Sequence, residues 1–106
     1  MQIWPFFVYL VMEYSVYILY SKTLDRFYIG QTQNLSERLL LHKKKQFEDS
    51  FTTRANDWEL FHSILCNSRN QALQIESHVK KMKSRKYILS IKEFPEIVDK
   101  LKIQYP

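Results

Sequence analysis

Glycine is almost absent from this sequence, and its one occurrence, Gly30, closes the tripeptide Tyr28-Ile29-Gly30. Nearly every turn must therefore be built from other residues. A lone glycine at the end of an aromatic strand predicts that the backbone bends there or that another group comes very close to it.

Cysteine is also used once, at Cys66, which excludes an intrachain disulfide and a cysteine-rich zinc site. This usage is typical of a protein of the reducing cytosol, so we expect a cytoplasmic protein. Internal repeats and low-complexity stretches are lacking as well. With 106 residues the chain is long enough for one small domain with one hydrophobic core.

Negative charge is in the minority, since 11 Asp and Glu residues stand against 16 Lys and Arg residues, for a net charge of +5. The isoelectric point near 9.4 favours an acidic partner such as nucleic acid, although a soluble basic domain without such a partner has the same balance. Hydrophobic residues at 45% and charged residues at 25% indicate an ordinary globular protein rather than a disordered one.

The first twelve residues carry no charge and are almost wholly apolar. A membrane anchor or signal sequence is one interpretation, but Pro5 interrupts the segment and no basic residue precedes it. We instead interpret residues 1–13 as an apolar N-terminal extension or a packed strand, with Met12 as an alternative start. Residues 14–106 then form a single domain, and we expect no membrane partner.

The remaining sequence alternates between short strands and helices. Asn34 followed by Glu37, and Ser68 followed by Gln71, are typical of helix N-termini, and Pro95 suits a first helical turn. The predicted order, ββαβα with a C-terminal helix, is a small α+β domain with a three-stranded antiparallel sheet flanked by helices.

The predicted strands are 14–20, 26–32 and 58–66, with a turn at 22–25. The predicted helices are 34–44, 71–85 and 95–103, with a loop at 45–57 and a short segment at 86–91.

Two tyrosines share one face of the predicted hairpin. If paired residue numbers sum to 45, Val16 lies opposite Ile29 on an apolar face, and Tyr17 lies opposite Tyr28 on the other face. An aromatic pair of this kind also stabilises hairpins that have no catalytic role, and the pairing alone leaves both interpretations open.

Arg38 and His42 are four residues apart, so they lie on one face of the first helix. That face borders Leu35 and Leu39, where the helix would meet the sheet. An arginine at the edge of a core suits phosphate binding, because its planar fork matches two phosphate oxygens. A solvated arginine is the alternative.

Glu76 is the single acidic residue between positions 60 and 92, a stretch that contains seven Lys and Arg residues. Helical spacing places it with Ala72 and Val79 on the apolar stripe of the second long helix. A carboxylate there is costly to desolvate unless a cation meets it. The cation is either Arg38 or a lysine in a salt bridge, or a divalent ion such as Mg²⁺.

Taken together, several ordered motifs resemble the GIY-YIG nuclease superfamily, and especially its short stand-alone members. The motifs are Tyr17, Tyr28-Ile29-Gly30, Asn34-Leu35-x-x-Arg38-Leu39-x-x-His42, and Glu76 on a later helix. The similar region covers about residues 14–88. The first motif reads Ser15-Val16-Tyr17 rather than Gly-Ile-Tyr, and the family's further asparagine has no clear counterpart after Glu76.

The resemblance implies a metal-dependent endonuclease that leaves a 5′-phosphate and a 3′-hydroxyl. Glu76 would hold a single Mg²⁺ or Mn²⁺ ion, and Arg38 would stabilise the scissile phosphate. Tyr17 would act as general base or position the attacking water, and Tyr28 would help to orient the water or the phosphate. His42 occupies a position that is often histidine in these relatives, with a less defined role.

The partner implied is nucleic acid, with DNA favoured, held through its backbone phosphates. Repair, recombination or defence are the processes considered, and a homodimer or an accessory protein could add specificity. A non-catalytic basic nucleic-acid-binding module is the first alternative, and a small membrane-associated or structural protein is the second. The predicted substrate-binding residues are Lys43, Lys44, Lys80, Lys83 and Arg85.

Overall fold

The computed structural model describes residues 13–43 and 54–106, apart from the side chains of His42 and Lys43. The expectations for residues 1–12, Lys44 and most of the loop at 45–57 therefore lie outside the described residues. The predicted α+β fold with a three-stranded antiparallel sheet is confirmed. The elements are β1 (Ser15–Ser21), β2 (Arg26–Thr32), α1 (Leu35–Lys43), β3 (Trp58–Leu65), α2 (Arg69–Met82), α3 (Arg85–Glu93) and α4 (Pro95–Gln104).

The central strand of the sheet is β1, since the strand order is β2-β1-β3. Its alternating side chains are buried on both faces. Val16 and Ile18 join one core with residues of α2, α3 and α4. Tyr17 and Leu19 join a second, smaller core on the other face, where α1 packs. The sheet therefore lies between two helical layers.

The hairpin register differs from the predicted one. Tyr17 pairs with Gly30 and Leu19 with Tyr28, so paired numbers sum to 47 and the predicted sum of 45 was wrong. A sum of 45 would need a two-residue loop, which favours Gly or Asn at positions where this sequence has Lys22-Thr23. The chain instead uses the four-residue turn, whose last residue, Asp25, has a left-handed backbone with φ of 50°. Since the shift is two residues, every side chain stays on its predicted face.

The new register explains the lone glycine. The Tyr17 ring lies over Gly30, so a Cβ atom at Gly30 would be 2.5 Å from the Tyr17 Oη and 2.6 Å from its Cζ. The backbone of Gly30 is not in the positive-φ region. Of the two expectations for this glycine, the close approach of another group is therefore the one that holds.

The third strand carries one extra residue. Ile18 pairs with His62 but Leu19 pairs with Leu60, so Phe61 is left over in a β-bulge. Phe61 then packs against the α2 side of the sheet, with its ring 5.2 Å from that of Phe27 in an edge-to-face contact. The bulge thus adds an aromatic contact that spans the sheet from β3 to β2.

The predicted caps form, but one predicted helix is divided. Asn34 Oδ1 accepts from the Glu37 N–H (3.1 Å), and the Ser68 hydroxyl accepts from the Gln71 N–H (3.1 Å). The helix predicted at 71–85 ends at Met82, because Lys83 adopts a left-handed backbone with φ of 46°. Ser84 then caps α3, so the short segment predicted at 86–91 is a helix. In the described ranges no helix is long and apolar enough to cross a membrane.

Asp57 ties the hairpin turn to the start of β3. Its Oδ1 accepts from the Ser21 hydroxyl (2.6 Å), and its Oδ2 accepts from the Thr23 N–H and hydroxyl (both 2.8 Å). These hydrogen bonds, that of Ser21 first, lower the pKa of the Asp57 carboxyl to about 2. The ionised form is therefore the one that the folded chain holds.

Replacing Gly30 by Ala should destabilise the fold by about 1–3 kcal/mol, because the added methyl group overlaps the buried Tyr17 ring. Urea unfolding measures this cost. The same substitution made in a Tyr17→Leu background should cost much less, because the shorter side chain vacates the space over residue 30. Equal costs in both backgrounds would contradict the proposed packing.

Stability should fall in acid as Asp57 is protonated. Because its folded pKa lies near 2 and the ordinary value is 3.8, the contribution is fully present above pH 3.8 and is lost as the pH falls through about 2. Urea midpoints between pH 5 and 2 should drop less steeply for Asp57→Asn than for the wild type. Glu59→Gln, which removes an exposed carboxylate two residues away, is the control and should retain the wild-type slope.

Candidate active site

The two predicted tyrosines lie on the sheet face that α1 covers. Tyr17 is only 1% exposed, whereas Tyr28 is partly exposed. Their ring centroids are 6.3 Å apart, which is a diagonal contact rather than the directly opposed pair that was predicted. Tyr28 also meets Trp58 edge-on, with ring centroids 6.4 Å apart. Trp58 comes from β3, and the sequence analysis did not connect it with the tyrosines.

Arg38 is partly buried on α1, beside Leu35 and Leu39, which pack against the tyrosine face as predicted. Its side chain lines a cavity of about 210 Å³ together with Gln31 of β2 and Arg69 of α2. The helices α1 and α2 cover opposite faces of the sheet, so this cavity marks where the two layers meet, at the end of edge strand β2. His42 belongs to α1, but its side chain lies outside the described part.

Glu76 lies beside the buried stripe of α2, with its side chain 19% exposed. Its Oε1 is 3.4 Å from the Nζ of Lys80, whose side chain is 52% exposed. The lysine salt bridge that the sequence left open therefore exists. It is long and half exposed, and such i,i+4 pairs contribute only about 0.3–0.5 kcal/mol. A cation that binds more strongly would readily replace Lys80.

A metal at Glu76 would have few protein ligands. Within residues 13–43 and 54–106 no group of three or more His, Cys, Asp and Glu side chains could hold a metal ion. A single carboxylate such as Glu76 suits Mg²⁺, which often binds proteins through one or two carboxylates and keeps several waters.

Three of the predicted substrate-binding residues line a second cavity, of about 340 Å³, together with Arg26 at the start of β2. All three, Lys80, Lys83 and Arg85, are exposed. Arg85 donates from Nη1 to Asp25 Oδ1 (2.9 Å) and from Nη2 to the Asp25 carbonyl (2.6 Å). It therefore joins α3 to the hairpin turn in addition to lining the cavity.

Arg69 also lies in this region, although it was not among the predicted catalytic or substrate-binding residues. It precedes Glu76 by seven residues, which is close to two full turns, so the two lie on one face of α2. That spacing was a usable signal. What the spacing could not indicate is that Arg69 shares a cavity with Arg38, because the two arginines are 31 positions apart in the sequence.

Comparison with known families supports the interpretation of the motifs. The family model of the GIY-YIG catalytic domain matches residues 13–88, from the residue before Tyr14 to the first turn of α3. The matched segment contains Tyr17, Tyr28, Arg38 and Glu76. Among curated proteins and among solved structures, no match was found.

Proposed function

The chain belongs to the GIY-YIG family of nuclease domains, and from this membership we propose that it is a metal-dependent endonuclease that hydrolyses phosphodiester bonds, with DNA as the favoured substrate. The observation that carries the proposal is the position of Glu76. This carboxylate is largely buried on a basic helix, forms a long bridge to Lys80, and lies two turns from Arg69, which shares a cavity with Arg38.

Arg38 is proposed to bind the scissile phosphate. Hydrolysis adds negative charge to the phosphate oxygens as the transition state forms, and preorganised cations lower its free energy most when they lie in a partly dry site. Arg38 is partly buried and on a helix, so its guanidinium is restrained before the substrate arrives. Its fork can bind two phosphate oxygens at once.

Glu76 is proposed to hold one Mg²⁺ or Mn²⁺ ion. When bound, such an ion stabilises developing negative charge as a Lewis acid. The protein's part is to provide one carboxylate that is partly desolvated, and therefore poorly compensated without a cation. The salt bridge from Lys80 to that carboxylate contributes little stability, so it would oppose binding of an ion only weakly.

The tyrosines are proposed to orient the water or the phosphate. An ordinary phenol is protonated at neutral pH, so its hydroxyl is suited to hydrogen bonding in the ground state. The ring of Tyr17 is packed over Gly30, which fixes where its hydroxyl lies. Tyr28 is the more exposed of the two and can meet a ligand with less rearrangement.

Nicking of supercoiled plasmid, with and without Mg²⁺ or Mn²⁺, tests the proposed function. Glu76→Gln and Arg38→Ala should each lower the rate by about 100-fold or more, because each removes a group that stabilises transition-state charge. The thermal midpoint of Glu76→Gln should stay close to wild type, since its bridge to Lys80 is weak. Glu93→Gln, which removes an exposed carboxylate of α3, is the matched control and should cleave normally.

Each other outcome of that assay has a definite meaning. Cleavage that persists in Glu76→Gln would contradict the metal assignment. Salt-sensitive binding without any metal-dependent cleavage would favour the non-catalytic binding module over the nuclease. Parallel reactions with a duplex, a branched DNA and a single-stranded RNA would identify the substrate class.

Tyr17→Phe should separate the chemistry of Tyr17 from its packing. The phenylalanine ring keeps the contact with Gly30, so the urea midpoint should fall less than in Tyr17→Leu, while the loss of the hydroxyl should lower kcat by about 100-fold. Tyr28→Phe should have a smaller effect on kcat. Single-turnover cleavage at saturating metal measures both. Full activity of the Tyr17→Phe protein would contradict a catalytic role for the Tyr17 hydroxyl and leave the residue with a packing role.

A further inference from the structure

One face of α2 carries a line of four charged side chains. Arg69, Glu76, Lys80 and Lys83 are separated by seven, four and three residues, so an α-helical period places them all within about 60° of one another. Lys83 is the cap residue of the helix rather than part of it, but its side chain lines the same cavity as Lys80. At a rise of about 1.5 Å per residue, the line is about 21 Å long with Glu76 at its midpoint.

The two cavities lie at opposite ends of this line. The first contains Arg38 and Arg69 and is lined by Gln31, near the end of β2. The second contains Lys80 and Lys83 and is lined by residues at the start of β2. Strand β2 and helix α2 therefore run side by side in opposite directions, with a cationic cavity at each end of the seam between them.

The charges along the seam have few internal partners. Arg69 and Lys83 are exposed, and no carboxylate of the described residues forms a salt bridge with either of them. The first turn of α2 contains no acidic residue, so the positive N-terminal end of the helix adds to the charge of Arg69. The seam thus has unneutralised positive charge on both sides of Glu76.

We propose that the nucleic-acid backbone runs along the seam between α2 and β2, with Arg69 and Lys83 binding phosphates on opposite sides of the scissile one. This inference rests on the proposed nuclease function, because Glu76 marks the point of cleavage. In B-form DNA one strand rises 3.4 Å per nucleotide along the axis, and its backbone follows a longer helical path, so 21 Å of backbone corresponds to fewer than about six nucleotides. Each contact then lies less than about three nucleotides from the cleavage point, with that of Arg69 the nearer because Arg69 shares a cavity with Arg38, and neither reads the bases.

The salt dependence of binding tests the path. In an inactive Glu76→Gln background, the affinity for a fluorescent duplex is measured by anisotropy at several salt concentrations. Arg69→Ala and Lys83→Ala should each reduce the slope of log affinity against log salt by about 0.9, since each removes one phosphate contact. Arg69→Lys retains the charge and should restore most of the slope.

Lys81→Ala is the matched control. Lys81 is an exposed lysine of the same helix, but it lines a different cavity with Leu73 and His78, on the side of α2 away from the seam. Its substitution should leave the slope unchanged. If Lys81→Ala lowers the slope as much as Lys83→Ala does, or if Arg69→Ala has no effect, the proposed path is wrong.

Shortened substrates locate the two contacts relative to the cleavage point. Once the cut is mapped on a duplex, the substrate is shortened one nucleotide at a time toward the cut, first on one side and then on the other. Single-turnover rates are compared at each length. The Arg69→Ala enzyme should be insensitive to removal on one side, and the Lys83→Ala enzyme to removal on the other. Sensitivity of both to the same side would overturn the path.

The same experiments distinguish failure of the path from failure of the proposed function. If the wild type cleaves in a metal-dependent way and the slopes of both seam variants are unaltered, the nuclease function is supported and the proposed backbone path is wrong. If the slopes are altered but no metal-dependent cleavage occurs, the seam binds nucleic acid and the proposed nuclease function is wrong.

Discussion

The contact between the Tyr17 ring and the backbone of Gly30 is the constraint on which the geometry of this domain depends. A side chain at residue 30 would occupy the space that the ring fills. With glycine there, the ring lies over residue 30 of β2, and Tyr28 is in diagonal contact with it. The same ring forms the centre of the smaller core, against which Leu35 and Leu39 of α1 pack. Arg38 is positioned through that packing.

The burial of β1 on both faces determines where a site can form. In residues 13–43 and 54–106, helices pack against both faces of the sheet, and β1 is buried between them. The edge of β2 is different, because there the residues of α1 and α2 line one cavity. Arg38 reaches this edge from one layer and Arg69 from the other. A substrate at the edge can therefore meet both layers without any opening of the core.

Local signals predicted the elements well, because each capping contact involves neighbours in the sequence. Asn34 with Glu37 and Ser68 with Gln71 are examples, and both contacts form. The hairpin register was wrong because it depends on the turn, and the left-handed backbone of Asp25 is not evident from composition. The break at Lys83 was hidden for a similar reason, since the basic run on both sides of it favours helix throughout.

The candidate site contains some residues that the sequence motifs indicate and others that only the fold places beside them. Tyr17, Tyr28, Arg38 and Glu76 were found from their order and spacing, and their roles stay predictions. Trp58 reaches Tyr28 only through the pairing of β1 with β3. Arg69 shares a cavity with Arg38 only because two helices on opposite faces of the sheet begin near the end of the same strand. Contacts between residues so distant in the sequence leave no local pattern.

Some of these residues can be replaced with little effect on the stability of the fold, whereas others serve both the packing and the proposed chemistry. Glu76 and Arg69 contribute little to folding, because one has a weak bridge to a half-exposed lysine and the other is exposed. Tyr17 is different, since its ring is core and its hydroxyl is a candidate catalytic group. Its aromatic ring is therefore required by the packing over Gly30 whatever the hydroxyl does.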